Sequence, residues 1–168
     1  DLLDGGAGAD SMTGGAGNDV YVVNSSADVV VEALNGGIDS VVSAVTYTLG
    51  NNLEKLILSG TSAINGTGNS LDNVLQGNAA ANLLKGGAGD DTYFIGAEDT
   101  VYEALNQGVD TVVADFSYKL GSNLENLTLL GVANLNATGN TLNNLIIGNA
   151  GANSINAGTG ADTMKGGA

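Results

Sequence analysis

The sequence predicts an all-β fold, a parallel β-solenoid of stacked coils of about 18 residues. Three observations carry this. Glycine-rich turns recur with a nine-residue period in three blocks, DLLDGGAGADSMTGGAGNDVYV (1–22), GNSLDNVLQGNAAANLLKGGAGDDTYF (68–94) and GNTLNNLIIGNAGANSINAGTGADTMKGGA (139–168). Asp19, Asp91 and Asp162 hold the same place in their blocks, 72 and then 71 residues apart. Apolar residues also recur in phase, at Leu3, Met12, Tyr21, Val30, Val41, Leu75, Leu84 and Tyr93.

Each unit reads as a glycine turn followed by about three residues of strand. Glycine supplies the tight, positive-φ backbone of the turn. In Val20-Tyr21-Val22 alternation sends the central side chain to one face. Two units close one coil, and residues 18 apart become vertical neighbours at the ~4.8 Å spacing of parallel strands. The intervening segments align with each other, NGGIDSVVSAVTYTLGNNLEKLIL (35–58) with NQGVDTVVADFSYKLGSNLENLTL (106–129), and read as degenerate turns of the same coil. One continuous unit over 1–168 is expected, with long repeats at about 14–85 and 86–156 and partial repeats at both ends. Helix signals are nearly absent; only Glu32–Leu34 and Glu103–Leu105 tolerate helix.

Composition narrows the function. The 168 residues include 27 glycines, no proline and no cysteine, and 18 acidic residues against four lysines give a net charge of −14. A chain without a basic patch is not expected to bind nucleic acid or an anionic membrane. No stretch approaches the ~20 apolar residues that span a bilayer. Disorder fits poorly, because 43% of the residues are hydrophobic and recur in short regular runs. The acid therefore reads as waiting for a cation.

The turn Gly14-Gly15-Ala16-Gly17-Asn18-Asp19 offers carbonyls and one carboxylate. Calcium takes about six to eight oxygens, more than one turn supplies, so two turns one coil apart must share an ion. This pairs Asp1 with Asp19, Asp10 with Asp28, Asp19 with Asp39 across a two-residue expansion, and Asp91 with Asp110, and it stacks Asp162 above Asn144. Without an ion, like charges stand about 5 Å apart. Metal binding and folding then become one equilibrium.

The units GGAGADSMT, GGAGNDVYV and GGAGDDTYF resemble the nonapeptide G-G-x-G-x-D-x-U-x of the repeats-in-toxin (RTX) family. The resemblance implies a right-handed parallel β-roll with several Ca2+ ions along its turn edges. It also implies one-step (type I) secretion from a Gram-negative bacterium, with folding outside the cell or at its surface. The aspartates it carries over as ligands are Asp10, Asp19, Asp91 and Asp162, with Gly5, Gly6, Gly8, Gly14, Gly15, Gly17, Gly86, Gly87, Gly89 and Gly160 presenting carbonyls. Asp28, Asp39, Asp99 and Asp110 keep the D-x-U-x tail without the full glycine turn and are candidate ligands. Asn73, Asn82, Asn144 and Asn153 stand where aspartate is expected and read as stacked asparagine ladders, and Ala157 replaces a turn glycine.

Glu32 and Glu103, each before a glycine-containing bend, read as solvated surface, and the five tyrosines as core or edge packing. The pairs Asp4/Asp10 and Asp90/Asp91 do not suggest acid–base catalysis, since histidine is absent and no nucleophile sits beside a base. The expected function is a calcium-rigidified structural module of an adhesin, sheath or layer protein, not an enzyme. The return of GADSMTGGA (8–16) as GADTMKGGA (160–168) is what one unit of a tandem array would show. Self-association, head-to-tail or lateral, and an extracellular polysaccharide are the candidate partners. The alternative, which the resemblance allows, is an accessory carbohydrate-binding or secretion and folding module of an exported enzyme such as an alginate epimerase, protease or lipase; a polysaccharide groove needs an exposed aromatic or basic row. Ice binding needs flat ranks of Thr and Asn, and GTGN (66–69) and ATGN (137–140) supply them only once per long repeat.

Overall fold

In the computed structural model, which describes residues 1–167, glycine turns break the chain every few residues and only short strands form between them. Ala168, the last residue of the expected coil and of GADTMKGGA, lies outside the described residues. Nineteen strands and no helix are present among those described, including at Glu32–Leu34 and Glu103–Leu105.

Every second strand joins one parallel sheet of ten: β1 (Leu2–Asp4), β3 (Val20–Val23), β5 (Ser40–Ser43), β7 (Lys55–Leu58), β9 (Val74–Gln76), β11 (Thr92–Phe94), β13 (Thr111–Ala114), β15 (Asn126–Leu129), β17 (Leu145–Ile147) and β19 (Thr163–Lys165). The strands between them form the opposite wall: β2 (Ser11–Thr13), β4 (Val29–Val31), β6 (Tyr47–Thr48), β8 (Gly66–Thr67), β10 (Leu83–Lys85), β12 (Thr100–Tyr102), β14 (Tyr118–Lys119), β16 (Asn136–Thr138) and β18 (Ser154–Asn156). The molecule is a parallel β-solenoid of about nine turns.

The second wall is discontinuous. It splits into β2-β4, β6-β8-β10-β12 and β14-β16-β18. Both breaks fall where an eleven-residue half-coil (Val30 to Val41, Val101 to Val112) is followed by a six-residue one (Val41 to Tyr47, Val112 to Tyr118). Coils are therefore unequal. Asp19 and Asp39 are 20 residues apart, Asp39 and Glu54 only 15, and Asp110 and Glu125 again 15. The long and short coils compensate, so the nine-residue phase from Leu3 to Tyr93 survives a region that does not obey it.

Between the walls lies a narrow apolar core. Tyr21, Val41, Leu56, Leu75, Leu84, Tyr93, Val112, Leu127 and Ile146 are fully buried. Met12 is buried, and Leu3 and Val30 pack partly buried against the core, as the predicted inward series requires. Tyr47 and Tyr118 are half-buried, while Tyr102 is exposed with Lys85 Nζ 5.4 Å above its ring. Asn35, Asn52, Asn106 and Asn123 take φ between 59° and 62°. Asparagine tolerates this left-handed region, so these four positions need no glycine.

Each coil touches only its neighbours above and below, so a core defect cannot be spread over a large interior. Leu127→Ala should cost about 2–5 kcal/mol by removing a fully buried side chain. Thermal melting of the folded protein checks this; an unchanged midpoint would contradict the packing described.

Candidate metal centre

The residue two positions before the centre of each strand of the ten-stranded sheet falls on one turn edge. These residues are Asp1, Asp19, Asp39, Glu54, Asn73, Asp91, Asp110, Glu125, Asn144 and Asp162. Parallel register makes them a column, and every acidic side chain from Asp39 onward accepts a hydrogen bond from the main chain one coil below. Asp19 N–H donates to Asp39 Oδ1 at 2.7 Å, Asn73 N–H to Asp91 Oδ1 at 2.7 Å, Asp91 N–H to Asp110 Oδ1 at 2.9 Å and Asn144 N–H to Asp162 Oδ1 at 2.9 Å. Asp39 and Asp110 donate in the same way to Glu54 Oε2 and Glu125 Oε2, at 2.8 and 2.9 Å. One oxygen of each aspartate is thus used to bind coil to coil.

The other oxygen is not. Asp10, Asp19, Asp39 and Asp91 each bury an Oδ2 with no hydrogen-bond partner. Leaving a buried charged oxygen unmatched is costly, so these atoms mark where a ligand belongs. The turn beside them is shaped for close approach. A methyl group at Gly14 would overlap Asp19 Oδ2 and the Tyr21 hydroxyl, and one at Gly86 would overlap Asp91 Oδ2 and the Tyr93 hydroxyl. Gly15 and Gly17 (φ 94° and 111°) and Gly87 and Gly89 (φ 107° and 108°) turn the chain around this point. Gly6, Gly8 and Gly160 adopt the same left-handed region, and Gly5 lies against the Asp10 carboxylate. Hard oxygen donors from carboxylates and turn carbonyls fit calcium.

Glu32 and Glu103 correct the sequence reading. They are not solvated; they are 8% and 4% exposed. The eleven-residue half-coil folds each glutamate back over the preceding glycine turn. Tyr21 and Tyr93 donate their hydroxyls to Glu32 and Glu103 from the core side. Asn52 Nδ2 and Asn123 Nδ2 hold the glutamates' main-chain carbonyls, each at 3.0 Å. Carboxylate oxygens of Asp19, Glu32 and Asp39 lie within 4.8 Å of one another, as do those of Asp91, Glu103 and Asp110. The one available signal was recurrence, since glutamate followed by Ala-Leu-Asn appears in both long repeats.

Other predicted residues are placed differently. Asp28 has no free oxygen: Oδ1 accepts from Asp10 N–H (3.2 Å) and Oδ2 from the amides of Asn24 and Ser25 (both 3.1 Å). Burial pushes its acidity down, but those amide bonds outweigh it and hold the pKa below the usual carboxylate value. Asp99 is likewise engaged, by Asn82 N–H at 2.9 Å and Gly96 N–H at 2.8 Å. Both act as turn caps. Asp1 stacks one coil below Asp19 in the column, with its own carboxylate in solvent. Asp162 is half-buried and bonded to Asn144.

The asparagine turns close another way. Asn73 Nδ2 and Asn144 Nδ2 donate to Leu53 O and Leu124 O one coil below, at 3.1 and 3.2 Å. The first asparagine of each GNxxxN unit does more. Asn69 Nδ2 bridges Gly50 O and Leu53 O, at 2.7 and 2.8 Å, and Asn140 Nδ2 bridges Gly121 O and Leu124 O, both at 2.7 Å. Asn78 and Asn149 repeat the bridge on the opposite edge. The amide group gathers carbonyls as a cation would. These are clamps onto the main chain, not the side-chain ladders expected.

Burial dominates the acidity of the clusters. It raises Asp91 to about 7, helped by Asp110, Asp72 and Asp90 and opposed by the Asn73 amide. Glu103 is raised to about 7 by burial, then by Asp110 and Asp91. Asp110 rises to about 6 through burial, then Glu125 and Asp90, against the Asp91 amide. Asp39 is raised for the same leading reason. Folded carboxyls that keep protons the unfolded chain releases near pH ~4 stabilise the metal-free fold at low pH, and that stability is lost as pH rises through the folded values. The β signal in chelator should therefore fall from about pH 5 to about pH 8, while calcium affinity rises across the same window. A metal-free stability that is flat or increasing with pH would contradict this.

The model of the RTX calcium-binding nonapeptide repeat matches in four copies, over residues 1–30, 67–101 and 138–168. Two curated relatives are similar over 67 residues, 40% of this chain: the endo-1,3-1,4-beta-glycanase ExsH of Rhizobium meliloti (strain 1021) at 36% identity, and the endo-1,3-1,4-beta-glycanase EglC of the same strain at 33%. The matched region spans 14% of the length of each of these proteins. No solved structure matches the chain significantly. With glycine turns, buried unmatched aspartate oxygens and more than half of its length under that model, this chain belongs to the RTX calcium-binding nonapeptide repeat family.

Proposed function

We propose that the chain is a structural module of an exported Gram-negative bacterial protein, folding as one unit and rigidifying when calcium arrives outside the cell or at its surface. RTX nonapeptide repeats bind Ca2+ at several sites, and calcium binding is the established part of this reading. The observation that supports coupling to folding is the set of buried Oδ2 atoms on Asp10, Asp19, Asp39 and Asp91. No lysine pairs with them, and the one ion pair among the described residues uses the amino group of Asp1. The ligand set we favour is Asp10, Asp19, Asp39, Asp91, Asp110 and Asp162 with the glycine-turn carbonyls, leaving Asp28 and Asp99 as caps. Among the described residues no helix is long and apolar enough to cross a membrane.

Circular dichroism in the far ultraviolet during a calcium titration, with magnesium as control, tests this reading. A cooperative gain of β structure with calcium alone is expected. Full β structure in chelator at neutral pH would contradict it.

The glycanase relatives favour a second reading, an accessory module carried by an exported enzyme. An open groove lined by Lys119, Ser122, Asn123, Thr138, Asn140 and Thr141 offers hydrogen-bonding groups but no aromatic platform. Sedimentation of the calcium-loaded chain with polysaccharides separates the readings. Binding at about micromolar strength would favour the accessory module, and none is expected of a purely structural one.

A further inference from the structure

We infer that each long repeat carries a cation cage that joins one nonapeptide aspartate to two carboxylates outside the pattern, formed by Asp19, Glu32 and Asp39 in the first and by Asp91, Glu103 and Asp110 in the second. The inference rests on the calcium reading above and adds to it two glutamates, two tyrosines and a defined pair of sites. The nonapeptide match ends at residue 30, resumes at 67 and ends again at 101, so Glu32, Asp39, Glu103 and Asp110 all lie beyond it.

Three observations carry the cages. All six carboxylates are at least nine-tenths buried, and each trio converges within 4.8 Å. Three like charges in so small a buried volume repel strongly unless neutralised. Next, oxygens aimed into the clusters lack partners: Asp19 Oδ2 and Asp39 Oδ2 in the first, Asp91 Oδ2 and Glu103 Oε2 in the second. Finally, the two clusters repeat in detail although the residues around them differ. Tyr21 and Tyr93 each hold the glutamate from the core side, and Asn52 and Asn123 grip its carbonyl.

The chemistry follows from the missing turn. An ordinary nonapeptide ion is shared by two glycine-rich turns. Above Gly14–Asp19 and above Gly86–Asp91 the next turn is instead Glu-Ala-Leu-Asn followed by a shortened glycine bend. The eleven-residue half-coil supplies in exchange a glutamate, whose longer side chain reaches back to the same place. Gly17 N–H to Gly36 O and Gly89 N–H to Gln107 O, both 2.7 Å, fix the two turns against each other. The occupant is one divalent cation of calcium size, taking mainly carboxylate oxygens. With three carboxylates, the cages also accept a trivalent lanthanide, and the adjacent phenols make terbium luminescence a local readout.

The test uses the full chain, with calcium calorimetry for the number of ions and tyrosine-sensitised terbium emission for the cages. Glu32→Gln and Glu103→Gln are each expected to remove one ion from the stoichiometry and part of the emission, and the pair to remove both ions. Unchanged stoichiometry and emission in the double variant, with calcium still binding the native chain, would overturn the cages and leave the family's sites intact. A native chain that binds no calcium would instead overturn the broader reading. If the glutamine variants do not fold, Tyr21→Phe with Tyr93→Phe keeps every carboxylate. Calcium stoichiometry should then persist while sensitised emission is lost, and retained emission would overturn the placement.

Discussion

The structure depends on how a column of carboxylates is neutralised. Parallel strands stack at about 4.8 Å, and every turn places its acidic side chain at the same height in the coil. Asp19, Asp39, Asp91 and Asp110 are therefore vertical or near-vertical neighbours by construction, each almost completely buried. The amide from the coil below satisfies one oxygen and leaves the negative charge. No arginine or histidine exists in the chain to balance it, and the lysines do not reach it. In the function proposed above, calcium turns this repulsion into coordination, which makes the ion part of the fold and not a decoration of it.

The roll has two ways of closing a turn. Where the chain reads GGAGND or GGAGDD, glycine geometry frees carbonyls and a carboxylate stands beside them. Where it reads GNxxxN, an asparagine amide reaches down and bridges two carbonyls of the coil below. The second way is neutral and needs no ion. Both occur within one unbroken ten-stranded sheet, and the asparagine coils lie between the charged ones. Charge density is thereby held to a few positions along the axis, where a coil lengthened to 20 residues at Asp19–Asp39, or 19 at Asp91–Asp110, brings a glutamate into the column's neighbourhood.

Much of this was legible in the sequence because a solenoid converts linear spacing into vertical contact. The stacking of Asp19 on Asp39, Asp91 on Asp110 and Asp162 on Asn144 follows from the period alone, as does the burial of Tyr21 and Tyr93. Glu32 and Glu103 were not legible. They sit outside the nine-residue unit, beside exposed Leu34 and Leu105, and only a bend of the longer half-coil turns them inward. Asp28 and Asp99 kept the ligand pattern, but turns without the full set of glycines, at Asn24–Ser25 and Gly96, put backbone amides on both oxygens. The 15-residue coils were hidden because each lies between longer ones, and the three coils from Asp19 to Asn73 together span 54 residues, six times nine. The asparagine clamps were half visible: Asn73 stood out in the aspartate column, while Asn69, four residues earlier, makes the stronger bridge.

The central claim is that stacked charge, and not a lack of apolar core, is what prevents this roll from closing without calcium. Its most direct measurement is the β signal in chelator of a variant carrying Asp19→Asn, Asp39→Asn, Asp91→Asn and Asp110→Asn, beside the native chain. Asn73 and Asn144 already show that the column accepts this side chain. The account predicts that the variant keeps its β structure at neutral pH in chelator while the native chain loses it. Equal loss in both proteins, or equal retention, would contradict it.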